Sequence, residues 1–222
     1  MKHSDRKVWD MKYVIRNEQD LNALLEERCV KEQETDGDWE WEGMHWYGCD
    51  AIIIDAKGKW FDKKLVLQLH ILEGSVVKCI PVTKIKPEDK DKIRNTILYI
   101  QKNFEHIYQV MLETLLPFLM EWEVQNFRTG ELVTTIGQLH DAHSTQVIAD
   151  MEAECITNIQ LNCRYQKDNM VFYSLTYRPD CSDDGFEVVF WKDHVVFFMD
   201  GNTEEAILDF ENYKEWPTYF GF

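Results

Sequence analysis

The chain lacks the glycine-rich loops that cradle phosphates. Neither G-x-x-x-x-G-K-S/T nor G-x-G-x-x-G occurs among its 10 glycines, so nucleotide binding by those routes has no support. There is no G-x-S-x-G elbow for a hydrolase serine and no H-E-x-x-H for a zinc peptidase. The six cysteines include no C-x-x-C pair, and an even cysteine count implies disulfides mainly in short secreted chains. No apolar signal core follows Met1-Lys2-His3, and no uncharged apolar run reaches spanning length. These absences lead us to expect reduced thiols and a cytoplasmic location.

Basic residues are also scarce. Lys and Arg number 24 against 40 Asp and Glu, a net charge of −16. A field of that sign repels phosphate backbones and anionic lipids, so neither nucleic acid nor a membrane surface is an expected partner. Acidity serves solubility in many proteins, but here it is uneven. Residues 51–100 are net basic, while residues 151–222 hold more than half of the negative excess. A basic protein would meet that end.

What is present is a chain of 222 residues with 45% hydrophobic and 13% aromatic content, enough for a large folded body without metal or disulfide. Asn17 before Glu18, Gln19 and Asp20 reads as a helix cap, and Leu21, Leu24, Leu25 and Arg28 follow at helical spacing to about Cys29. The period then changes to two. Residues 52–54, 65–71 and 76–82 and the Trp39–Trp46 stretch predict a first antiparallel meander.

Residues 87–116 carry the strongest helix signal. Pro87 stands at the first position, and Ile93, Ile97, Ile100, Phe104, Ile107, Met111 and Leu115 form one stripe along about eight turns. Pro117 is expected to stop or kink the helix, leaving Phe118 to Trp122 for a further turn. Residues 126–143 read as a connection with one short apolar element, and Ser144 as the cap of a short helix over about 145–153. A second meander follows at 159–165, 171–177, 186–190 and 195–199, with Lys192-Asp193 turning the last hairpin. Its aromatics lie on both faces, so one of those faces is expected to be covered by something else. The aromatic tail, 216–222, is suited to docking on the body. The expected fold is α+β: two antiparallel meander sheets, with one long helix packed on the first. The halves are 1–126, α+β, and 127–222, mainly β, in one unit.

Candidate chemistry is sparse. His140 and His143, at i and i+3, could share a zinc on a helix face, but no third ligand is identifiable. Asp180, Asp183 and Asp184 crowd one turn with Gly185. Three carboxylates could hold a hard cation, but the spacing departs from D-x-D/N-x-D/N-G, and Asp and Gly are also what a hairpin loop uses. Trp39, Trp41 and Trp46, with Tyr47 and Trp60, make a broad aromatic surface. It is either a binding platform or the floor beneath the long helix.

The runs Ile159-Gln160-Leu161, Val171 to Tyr177, Asp183 to Phe190 and Val195-Val196 resemble a bacterial family of uncharacterised proteins similar in character to immunity proteins that neutralise polymorphic toxins. The long helix with Phe104-Glu105-His106-Ile107 after a small sheet fits that pattern. Where the family's turn carries a histidine, this chain has Ser182-Asp183-Asp184-Gly185, so no metal or catalytic role is carried over. The resemblance implies a non-enzymatic protein that acts by binding. On it we expect an acidic, immunity-like inhibitor of a basic toxin or enzyme, with Asp180, Asp183, Asp184 and Glu187 steering association and Trp39, Trp41 and Trp46 as a contact surface. No cofactor or metal is implied. The alternatives are a metal-dependent hydrolase assembled from His140, His143 and the Asp183 turn, and a scaffolding subunit using an exposed tryptophan face.

Overall fold

The computed structural model describes residues 13–30, 50–56, 58–72, 85–121, 123–126, 129–148, 152–179 and 185–200. A two-residue strand, β1 (Val14–Ile15), leads into helix α1 (Glu18–Val30). Asn17 caps α1 as expected: its Oδ1 accepts from the backbone N–H of Gln19 at 2.8 Å and of Asp20 at 3.0 Å, satisfying two donors that lack helical partners. Leu21, Leu24 and Leu25 are fully buried. Arg28 on the same stripe pairs with Asp50 (Nη2 to Oδ2, 2.8 Å).

Strands β2 (Asp50–Asp55) and β3 (Lys64–Leu72) form an antiparallel hairpin. Helix α2 (Lys90–Glu121) follows, then α3 (Ile136–Ala142), a short strand β4 (Gln146–Ile148), and the long β5 (Ala153–Lys167). Strands β6 (Met170–Tyr177), β7 (Phe186–Trp191) and β8 (His194–Asp200) complete the described chain.

The α+β class holds, but among the described residues the strands form one sheet where two were expected. Its order is β1-β2-β3-β5-β6-β7-β8, with β4 paired to β5. The halves meeting near residue 126 share this sheet, because β3 pairs with β5 in parallel. Strands β1 and β2 are parallel too. The physical reason is the helices: a parallel pair needs a crossover, and both parallel joins have a helix in the connection. The second meander, β5 to β8, is antiparallel throughout, as its alternation predicts. Its turns use backbone suited to twisted hairpins. Asp168 and Asn169 both take positive φ (49° and 59°) between the paired residues Lys167 and Met170, and Lys192 does so at 55°.

All seven predicted stripe residues of α2 are at most 1% exposed. The helix begins at Lys90 rather than Pro87, with Pro87 to Asp89 in a preceding turn. It runs through Pro117 to Glu121 instead of ending at 116. Proline costs roughly 3 kcal/mol inside a helix. The opposing gain is visible: Leu119 extends the stripe and is 1% exposed, and Phe118 packs edge-on against Phe186 and Phe198. Thr96 ties α2 to the sheet by accepting from the Val171 backbone N–H at 3.0 Å.

The expected helix over 145–153 is absent among the described residues, where 146–148 pair with β5 instead. The helix lies earlier. Thr135 is its N-cap in a capping box with Gln138, a T-x-x-Q signature legible in the sequence. The strand expected at 76–82, Trp39–Trp46 and the aromatic tail lie outside the described residues.

Along β7 the side chains alternate. Phe186, Val188 and Phe190 join the main core with α1, α2 and α3. Val189 and Trp191 belong to a second cluster with Val196 and Phe197. Both faces are buried, in agreement with the two-faced aromatic pattern.

Candidate functional site

The polar cluster that the fold assembles in the interior lies where α2 meets α3. Tyr108, two helical turns before Leu115 on the same α2 face, is fully buried. Its hydroxyl lies 3.2 Å from His140 Nδ1 and 3.0 Å from His143 Nδ1. The capping box starts α3 so that His140, in its last turn, and His143, just past its end, face α2 together. Tyr177 of β6 closes the far side: its hydroxyl donates to the Leu139 carbonyl at 2.7 Å, and its ring lies 4.5 Å from that of His143.

The rings of Trp60 and Phe61 lie 5.3 Å from that of His140. Glu105, one turn before Tyr108, accepts from the Trp60 backbone N–H at 3.4 Å. That approach needs Gly58, since a Cβ there would sit 2.4 Å from the Glu105 carboxyl carbon.

Burial dominates the electrostatics. It pushes His143 down to about 3, helped by the nearby His140 and opposed by the Ile156 backbone. Burial also lowers His140, against the pull of the Asp141, Glu105 and Glu154 carboxylates, and it raises the Tyr108 phenol far above its ordinary value. Both imidazoles are thereby favoured as neutral rings around a neutral phenol. Ile156 reaches this position because it is the extra residue of a bulge: Val66 pairs with Cys155 and Leu67 with Thr157, which leaves its backbone out of the ladder.

The structure therefore brings His140 and His143 together, but on a phenol. With both Nδ1 atoms engaged by Tyr108, the pair does not present two open ligands on one side. Among the described residues no group of three or more His, Cys, Asp or Glu side chains is placed to hold a metal. Asp180, Asp183 and Asp184 lie outside the described residues, as do Trp39, Trp41 and Trp46. Glu187 is a correction. Expected with the steering carboxylates, it is 0% exposed, because its side of β7 is buried as completely as the other. Its Oε2 accepts from Thr176 Oγ1 at 2.8 Å. Desolvation raises it to about 7, against the Ser174 and Thr176 hydroxyls and Arg178.

Two surface features stand out. His106, Val110 and Thr114 of α2 and Asp193, His194 and Val195 line an open groove of about 330 Å³. In it Asp193 faces His106 Nε2 at 3.1 Å and His194 Nε2 at 3.7 Å. The other lies at the C-terminal end of α2. There the chain makes a hairpin in which Gln125 pairs with Leu132 and Val133 N–H donates to the Val124 carbonyl at 2.9 Å. Met120 and Leu132 are each 47% exposed. Glu121, Glu123, Gln125 and Glu131 beside them are exposed as well. The sequence signals this patch only as a break in the α2 stripe, with Met120 off the buried face, and sequence reasoning passed it over.

No family model, curated protein or solved structure matches the chain.

Proposed function

We propose that the protein is an acidic binding protein that caps a basic partner, acting as immunity proteins act by covering a site and performing no chemistry of its own. The observation that carries this reading is the patch at the end of α2. Two large apolar side chains stand half-exposed among three exposed glutamates within one short stretch of chain. Apolar anchors supply affinity when a partner excludes water from them, and the surrounding carboxylates raise the on-rate and select for positive charge. The net charge of −16 points the same way, as does the resemblance of the C-terminal half. A basic protein is the partner class, in preference to nucleic acid or a membrane surface, and the cytoplasm the proposed compartment.

The test compares capture by the wild-type chain and by a Glu121→Lys/Glu123→Lys/Glu131→Lys variant from lysate of the native host. A basic protein retained by the wild type at low salt, released at high salt and lost from the variant supports the reading. Equal recovery by both chains, or no recovery, overturns it.

A further inference from the structure

The Tyr108 hydroxyl has one proton, and a ring nitrogen stands on each side of it: His140 Nδ1 at 3.2 Å and His143 Nδ1 at 3.0 Å. In one arrangement the phenol donates to His143 and accepts from His140 Nδ1–H. In the other it donates to His140 and accepts from His143 Nδ1–H. If neither Nδ1 carried a proton, one buried acceptor would face an oxygen with nothing to give. If both did, two N–H groups would converge on one oxygen and the phenol proton would point at nothing. Unpaired polar groups in such a site are costly.

We propose that Tyr108 is a one-proton hydrogen-bond switch that forces His140 and His143 into opposite tautomers and couples the protonation state of His140 to the tautomer of His143. His140, half-buried at the edge of the cluster, is the input. When it takes a proton its Nδ1 must carry hydrogen, so the phenol can only donate to His143. His143 is then held with hydrogen on Nε2. That atom is buried and makes no hydrogen bond of normal geometry, and the ring to which it belongs feels the bulged Ile156 backbone. A proton gained beside α3 is thus registered at the sheet, with no hydrogen bond to Tyr108 lost.

The groups that face the input come from each neighbouring element. Glu105 is on α2, Asp141 on α3 and Glu154 on β5, all acting to favour the charged ring, with His143 beside them. Trp60, with the Lys59 ammonium 4.3 Å over its ring, and Phe61 form the aromatic wall. The Tyr177 phenol donates to the Leu139 carbonyl.

The test is nitrogen-15 NMR of the histidine rings in the full-length chain through a pH titration. In the wild type the two rings are expected to show opposite tautomers while both are neutral, and His143 is expected to be the Nε2–H form once His140 is charged. Tyr108→Phe keeps the ring and removes the relay, so the tautomer of His143 should no longer follow His140. His140→Ala leaves Tyr108 to donate to His143 alone, giving the Nε2–H form wherever His143 is neutral. Like tautomers in the neutral wild type, or a His143 tautomer indifferent to His140→Ala where His140 is neutral and His143 had been Nδ1–H, would overturn the proposal. So would coupling that survives Tyr108→Phe.

Discussion

Strand β7 is buried on both faces, and the titratable groups that the two sides bury respond to it with opposite sign. On the helix-covered face the polar side chains have found each other: Tyr108 serves two histidines, Tyr177 donates to Leu139, and Thr96 accepts from Val171. On the opposite face Glu187 Oε2 accepts from Thr176 Oγ1, and each face leaves buried atoms without a hydrogen bond of normal geometry: His143 Nε2 and Glu105 Oε1 on the first, Glu187 Oε1 and Ser174 Oγ on the second. Each face holds a deeply buried group whose charged form desolvation disfavours, His143 and Glu187, and their preferences are opposite. His143 resists its proton, titrating near 3, while Glu187 holds its proton up to about 7. The same desolvation acts on both, and the sign differs because one is charged with its proton and the other without it.

The largest effect that would sharpen this comparison is acid loss of stability through His143. Its folded value lies below the ordinary 6.5, so its contribution is fully present above that pH and is lost as pH falls toward 3. The linkage amounts to up to about 5 kcal/mol. Urea unfolding across this range should show the slope, and His143→Gln should remove it. Next comes packing. Phe104→Ala, in the main core, should cost about 3–5 kcal/mol. Phe197→Ala, in the smaller cluster, should fall at or below the lower end of that range. Equal costs would mean that a side chain in the smaller cluster contributes as much as one in the main core.

Glu187 supplies a third test with the reverse sign. Its folded value, about 7, lies above the ordinary 4.5, so its contribution is complete below 4.5 and disappears as pH rises through 7. Glu187→Gln should therefore stabilise the protein at pH 8, by up to about 3 kcal/mol, and leave it little changed near pH 4. Between 4.5 and 6.5 the two groups oppose each other in the wild type, and each single variant should expose the other's slope. The smallest effect is local. Gly185 holds φ +80°, and a Cβ there would lie 2.7 Å from the Tyr177 carbonyl oxygen. Gly185→Ala should cost about 1–3 kcal/mol, read as a shift in thermal midpoint.

Local signals identified the α2 stripe, the α1 cap and the four strands from β5 to β8, because each depends on neighbours in the chain. The capping box at Thr135 was equally local and was available to be read. The parallel joins β1–β2 and β3–β5 were not, since alternation marks a strand without marking its direction. Glu187 shows the same limit at one residue. Its place between Phe186 and Val188 correctly sets it on the face away from α2, but whether that face meets water depends on what packs over it. His140 and His143 were visible as a pair at helical spacing. Their common partner lies 32 and 35 residues earlier in the chain, and no spacing rule reaches across a helix and a turn to find it. The sequence by itself determined the long helix, the α1 cap, the second meander and the acidic charge, because those follow from local backbone preference and composition. Only the tertiary structure decided which polar groups meet and which carboxylates keep their water, because desolvation and hydrogen bonding depend on distant parts of the chain arriving at one place.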